Sequence, residues 1–189
     1  MSIVLASGSP RRHELLKMIG IEDFITIVDT AEEVLSFGLS PEEQVSRLSQ
    51  QKAGNVALLC STDDLIIAAD TLVYIENEPL GKPESESDAI KMLTKLSGRK
   101  HSVYTGVTLI NGSTRVTAAE KTDVYFRKIT DSEISAYVQT GEPMDKAGAY
   151  AAQGRAAVFI ERIDGDFYNV VGLPLCRLVT LLKDFEKTL

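Results

Sequence analysis

Ile3-Val4-Leu5-Ala6-Ser7-Gly8-Ser9-Pro10-Arg11-Arg12-His13-Glu14-Leu15-Leu16-Lys17-Met18-Ile19-Gly20 is the stretch on which the fold turns. Its first four residues are an apolar run that breaks at Ser7-Gly8-Ser9, and from Pro10 onward Leu15, Leu16, Met18 and Ile19 take helical spacing. Ser9 fits an N-cap. Pro10 fits the first helical position, where its fixed φ suits the helix and its missing N–H is not needed, and Gly20 fits the stop. The chain therefore opens as strand, tight loop, helix. Such a loop has chemical potential: unpaired amides at a helix N-terminus and the helix dipole favour an anion, and Gly8 lets backbone approach it. Two hydroxyls and two guanidiniums add donors, and arginine forks match phosphate oxygens. Taken alone, residues 7–12 fit a phosphate clamp and an ordinary capped helix with two solvated arginines equally well.

Outward from that unit, residues 24–28 read as a second strand, followed by a polar stretch with Asp29, Glu32 and Glu33. That stretch reads as a solvated loop that could supply a metal ligand. Ser40-Pro41-Glu42-Glu43 starts a well-marked helix that runs to about Leu59 and carries Lys52 late in its course. Residues 65–69 are a continuous apolar run suited to a strand buried on both faces, and residues 71–75 continue it past one acid, Asp70. The strand is expected to end near Asp70 at a cleft. Residues 78–83 read as a loop and 85–96 as a helix. Residues 101–110 and 115–127 read as two strands around an Asn111-Gly112 turn. A capped helix over 131–140, a small-residue segment over 146–154, a strand over 158–163 and a helix over 173–182 complete the pattern.

The 189 residues suit one domain, 1–189, or one domain pinched into two lobes, able to bury roughly 70% of the surface its unfolded chain exposes. Cys60 and Cys176 lie far apart among apolar residues, so buried, reduced thiols and a reducing compartment are expected. No apolar run approaches the roughly 20 residues of a membrane span, and the N-terminus leads into a strand pattern rather than a signal peptide. The expectation is a cytoplasmic protein with no membrane partner. A formal net charge of −7 argues against a sequence-independent grip on nucleic acid. It leaves room for a small anion held by a few converging cations. Dinucleotide, nucleophile-elbow and CxxC motifs are missing, and two histidines are too few for a His-rich zinc site.

Within this frame Asp70 is the most informative residue, because an ionised carboxylate inside an apolar strand is expected to be paired, metal-bound or catalytic. It could hold a divalent cation, take a proton from water, or pair with an arginine. Lys82 in Gly81-Lys82-Pro83 can put a point charge on a phosphate, but the surroundings are not a Walker loop. Lys52 reads first as a solvated helical lysine, and His13 as an exposed residue of the first helix. Tyr150 could stack on a base and Gln153 could hydrogen-bond a pyrimidine edge, or both could be loop packing.

Taken in order, Leu5-Ala6-Ser7-Gly8-Ser9-Pro10-Arg11-Arg12 with Glu14-Leu15-Leu16, Ala69-Asp70-Thr71 and Gly81-Lys82-Pro83 resemble the Maf family of nucleoside triphosphate pyrophosphatases. Tyr104-Thr105-Gly106-Val107, Asp145-Lys146-Ala147-Gly148-Ala149-Tyr150, Ile163-Asp164-Gly165-Asp166 and Asn169-Val170-Val171-Gly172-Leu173-Pro174 extend the resemblance nearly end to end. The resemblance implies an α/β fold, with an elongated mixed β-sheet flanked by helices and two lobes about a central cleft, similar to inosine triphosphatases. It implies a divalent metal cation, Mg²⁺ or Mn²⁺, with Asp70 as proton acceptor and Glu33 and Asp70 as metal ligands. Ser7, Arg12, Lys52 and Lys82 match the family's other polar positions. Arg11, Thr71 and Gln153 match the branch that acts on dTTP and UTP, whereas the 7-methyl-GTP branch has tryptophan in place of Arg11. The implied partner is a nucleoside triphosphate, with modified pyrimidine nucleotides included and a homodimer left open. Two rival readings are a nucleotide-binding regulator of septum formation without turnover and a purine pyrophosphatase acting on ITP or XTP.

Overall fold

The computed structural model describes residues 1–186. In chain order its elements are β1 (Ile3–Leu5), α1 (Pro10–Met18), β2 (Ile25–Thr26), α2 (Pro41–Ala57), β3 (Leu65–Ile75), β4 (Glu78–Leu80) and α3 (Glu86–Leu96). Then follow β5 (Lys100–Asn111), β6 (Thr114–Phe126), α4 (Asp131–Val138), β7 (Ile160–Asp164), α5 (Phe167–Val171) and α6 (Leu175–Glu186). The strands form one sheet of order β2-β1-β3-β5-β6-β7, with β4 added on β3. Because β1 pairs in parallel with β2 and β3 while β4 and β7 pair antiparallel with β3 and β6, the fold is mixed α/β.

Local chemistry explains most of these boundaries. The α2 helix begins with a full capping box: the Ser40 hydroxyl accepts from the Glu43 amide at 3.3 Å, and the Glu43 carboxylate accepts from the Ser40 amide at 2.8 Å. Pro10 opens α1, although the Ser9 side chain makes no capping bond. The strand expected over 24–28 contracts to the exposed pair Ile25 and Thr26 at the sheet edge, where a short strand leaves little unpaired backbone. The segment 78–83 is not wholly loop. Glu76 and Asn77 both adopt positive φ, 52° and 66°, which is the backbone a tight primed hairpin turn needs. That turn folds β4 back on β3, with Ile75 opposite Glu78.

The chain splits into two compact units, one of residues 1–70, 105–120 and 172 onward, the other of residues 71–104 and 121–171. Strands β3, β5 and β6 each contribute residues to both. In the first unit, Val4, Ala6, Ile66 and Ala68 from the parallel strands pack with Ala53 and Val56 of α2. Gly106 of β5 lies so close to the Val45 carbonyl of α2 that a Cβ would overlap it, so only glycine permits this helix–strand approach. In the second unit α3 packs on α4, and Leu93, Leu96, Phe126, Ile134 and Phe159 share one core.

Two expectations are corrected here. Asp70 does not end its strand: β3 runs through it to Ile75. The cysteines are not both buried, since Cys60 is half-buried and Cys176 is exposed. On α6, helical periodicity turns Leu175 and Leu178 inward and leaves Cys176 facing out, so apolar neighbours in sequence did not mean apolar neighbours in space. Among the described residues no helix is long and apolar enough to cross a membrane.

His101 is sealed in the core of the second unit, 1% exposed, with Nε2 2.8 Å from the Tyr150 hydroxyl and its ring edge-on to Phe126. Burial pushes its pKa down from 6.5 to about 4. Between those values the unfolded chain takes a proton that the folded chain refuses. Stability is therefore intact above pH 6.5 and falls as pH drops toward 4, by about 3 kcal/mol in full. His101→Gln, which keeps a polar partner for Tyr150, is expected to remove this part of the slope when urea midpoints are followed over that pH window. An unchanged slope would contradict the assignment.

Candidate functional site

In the first unit the Ser7-Gly8-Ser9 loop, the start of α1 and the segment at Gly172 meet. Ser7 is 8% exposed, and its hydroxyl accepts from the Ser9 amide at 3.3 Å and from Arg12 Nη1 at 3.2 Å. Arg12 Nε donates to the Gly172 carbonyl at 2.8 Å, so its guanidinium is fixed both to the adjoining loop and to a segment 160 positions away. His13 Nε2 lies 3.0 Å from the Ser7 carbonyl oxygen, which can only accept, so this nitrogen carries the proton. Expected to be exposed, His13 is instead half-buried, edge-on to Phe24, and braces the loop from below. Gly8 has a packing role as well: a Cβ there would come within 3.1 Å of Val28 Cγ2.

The second feature is an ion pair with three members. Lys52 Nζ lies 2.5 Å from Asp70 Oδ1 and 2.7 Å from Glu33 Oε1. The Lys52 side chain is 15% exposed, so it is not the solvated helical lysine expected, while Asp70, 4% exposed, is paired as an acid in an apolar strand must be. Of the acidic stretch, only Glu33 joins. Asp29 accepts instead from Asn55 Nδ2 at 3.1 and 3.2 Å and from the Ala31 amide at 3.0 Å, a loop-building role.

Asp70 Oδ1 is taken by Lys52, but Oδ2 is buried without a hydrogen-bond partner among the described residues. A buried carboxylate oxygen in that state is costly unless something else binds there. Burial also pushes the Arg12 pKa down; Asp70 pulls it back up, Arg11 pushes it further down, and Glu33 raises it. The field at Arg12 thus registers both carboxylates. Asp70 and Glu33 thus offset much of the positive charge of Lys52 and Arg12, with Arg11 a further cation in reach of Arg12.

The other candidates are Arg11 in the first unit and Thr71, Lys82 and Gln153 in the second. Arg11 is half-buried on α1. Thr71 follows Asp70 on β3 and points to the opposite face, as strand alternation requires. In the second unit, Lys82 is exposed just beyond β4, in a loop tied down by the Gly148 amide donating to the Gly81 carbonyl at 3.0 Å. Gly148 has φ of 69°, and a Cβ there would meet the Val73 methyls at 3.0 Å. Gln153 is exposed, beside the Arg155 amide that donates to both Glu142 oxygens at 2.9 and 3.1 Å. Tyr150 is not a base-stacking surface: it is 6% exposed and packs against His101 and Phe126. Sequence reading missed the bracing role of His13, the anchoring carbonyl of Gly172 and the part of Asn55. Gly172 lay within a quoted motif and His13 one turn past the loop; Asn55 carried no signal.

Comparison with known proteins bears on the whole chain. Residues 2–185 match the family model described as Maf-like protein. A dTTP/UTP pyrophosphatase of Bacillus cereus (strain AH820) is 48% identical over 184 residues, which cover 97% of this chain and 95% of that one. A dTTP/UTP pyrophosphatase of Bacillus thuringiensis subsp. konkukian (strain 97-27) is similar to the same extent, 48% over 184 residues with the same coverage. Among solved structures, a HAM1 protein from Coxiella burnetii superimposes with a TM-score of 0.52 at 16% identity, covering 97% of this chain and 99% of that one. That likeness speaks to the fold alone.

Removing Lys52 would strand a buried carboxylate. Lys52→Met is therefore expected to lower unfolding free energy by about 3 kcal/mol in urea titration. An unchanged midpoint would mean that Asp70 does not depend on this partner.

Proposed function

The chain belongs to the Maf family, and on that premise we propose that it hydrolyses dTTP and UTP to the monophosphate and pyrophosphate. The observation that carries the reading is the buried Asp70 carboxylate, pinned at Oδ1 by Lys52 and with Oδ2 unpartnered among the described residues. Such a group is held in place, charged, and has one oxygen to offer to a water. Asp70 Oδ2 accepts a proton from that water. Its oxygen forms a bond to the α-phosphorus as the bond from that phosphorus to the bridging oxygen breaks, and pyrophosphate leaves with the electron pair.

The residues around Asp70 divide the remaining work. Ser7 and Arg12, with the first turn of α1, grip phosphate oxygens; the anchors on Ser7 and Gly172 orient the guanidinium in advance. Lys52 steers Asp70, and Lys82 adds a further positive charge to the phosphates. Arg11, Thr71 and Gln153 select the base, by resemblance to the pyrimidine-specific branch.

A divalent cation suits this donor set. Because Asp70 and Glu33 already offset Lys52 and Arg12, much of the triphosphate's charge is left for other groups to compensate. Among the described residues no group of three His, Cys, Asp or Glu could hold a metal alone. That fits an ion such as Mg²⁺, which binds through one or two carboxylates and completes its shell with water and phosphate oxygens. Glu33 and Asp70 would hold it, and when bound it would neutralise phosphate charge. Nucleoside triphosphates and Mg²⁺ are both cytoplasmic, which makes the cytoplasm the working compartment of this reading.

Pyrophosphate release across a panel of triphosphates, with Mg²⁺ and with chelator, tests the proposal. The expected result is Mg²⁺-dependent turnover led by dTTP and UTP. Retention of dTTP without pyrophosphate release would favour a binding regulator, and preference for ITP or XTP a purine pyrophosphatase. Asp70→Asn is expected to lower dTTP turnover about 10²- to 10⁴-fold, and near-normal turnover would remove Asp70 from the mechanism. Arg11→Trp should change which nucleotide is preferred, while Arg12→Ala should depress all of them. Equal losses on every substrate in both variants would contradict that division.

A further inference from the structure

Glu33 is an unusual choice for a defined position. Its side chain is 47% exposed and it lies in a segment outside any helix or strand. A free glutamate on such a segment would sample many rotamers and backbone states. Four side chains of α2 remove that freedom. Lys52 takes the Glu33 carboxylate at 2.7 Å. Gln51 Nε2 donates to the carbonyl of Glu32 at 3.3 Å, on one side of it. Arg47 Nη2 donates to the carbonyl of Val34 at 2.9 Å, on the other. Arg47 Nε also donates to the Ser36 hydroxyl at 2.9 Å, and the Gln44 side-chain oxygen accepts from the Ser36 amide at 2.9 Å.

Gln44, Arg47 and Gln51 are spaced by three and four residues, so they line one face of α2 beside Lys52. We propose that Arg47 is a positioning residue of the Asp70 site: it clamps residues 34–36 and thereby sets where the Glu33 carboxylate meets Lys52. The inference rests on the function proposed above. Its chemistry suits arginine in particular. Both bonds go to neutral oxygens two residues apart, and a planar fork with donors in fixed relation can satisfy both at once. Lysine, a single rotatable point donor, can satisfy one. Arg47 touches neither substrate nor Asp70 in this scheme; it acts through Glu33.

The test compares Arg47→Met, Arg47→Lys, Glu33→Gln and the Arg47→Met/Glu33→Gln double variant. Arg47→Met is expected to lower kcat on dTTP about ten-fold, the size typical for loss of a residue that orients a ligating group. KM should stay within about two-fold, since the phosphate grip is left intact. Arg47→Lys should recover part of the kcat loss. In the Glu33→Gln background the Arg47→Met change should add nothing, because its route to the reaction is already cut. Additive losses would overturn the proposal, as would an Arg47→Met effect on KM alone. A second readout needs no turnover: amide hydrogen exchange at residues 33–36 should accelerate in Arg47→Met while β3 keeps wild-type protection. Unchanged exchange there overturns the clamp, and acceleration throughout the first unit reassigns Arg47 to general stability and overturns it too. If the wild-type protein released no pyrophosphate from dTTP, the proposed function would fall, and the exchange experiment would still decide whether Arg47 holds this segment.

Discussion

The ammonium of Lys52, shared by Asp70 and Glu33, is the interaction on which the other features depend. A charged carboxylate in the middle of a strand with buried neighbours on both sides costs several kcal/mol unless it is paired. Lys52 is what lets β3 run through Asp70 without a break. For its nitrogen to arrive, α2 must lie close over the sheet, and Gly106 removes the atom that would hold helix and strand apart. The same helix organises the irregular segment that carries Glu33. A site made mostly of irregular backbone is in this way built on a rigid element, which is the arrangement precise chemistry requires.

Charge balance gives the site its direction. Asp70 and Glu33 pair with Lys52 and act on Arg12, so these two cations are already offset, in a chain of net charge −7. In the proposed reaction a divalent ion and the loop amides would compensate the incoming triphosphate. The field at Arg12, pushed down by burial and pulled back by Asp70, shows how closely these groups already act on one another.

Where local pattern and tertiary structure agreed, the sequence was legible. Pro10 and Ser40-Pro41 marked two helix starts, and the apolar run at 65–75 marked the buried strand. The turn at Glu76-Asn77 escaped because its positive φ values fall on residues other than glycine, so β4 read as loop. The five-residue α5 was too short to show a period. In the site, the loop and Asp70 stood out by composition, but the role of Lys52 did not. Which charges meet depends on partners far along the chain, and spacing within a helix carries no information about them. Tyr150 misled for the same reason: its partner His101 is 49 positions away, so an aromatic beside a glycine-rich turn looked open when it is core. Arg12's anchor at Gly172, 160 positions distant, was equally invisible.

In the proposed reaction a water held at Asp70 attacks the α-phosphorus, rather than a phosphorus farther out. Hydrolysis of dTTP in ¹⁸O-labelled water, followed by mass spectrometry of both products, distinguishes the two. Attack at the α-phosphorus leaves one labelled oxygen in the monophosphate and none in pyrophosphate; label in pyrophosphate would rule it out.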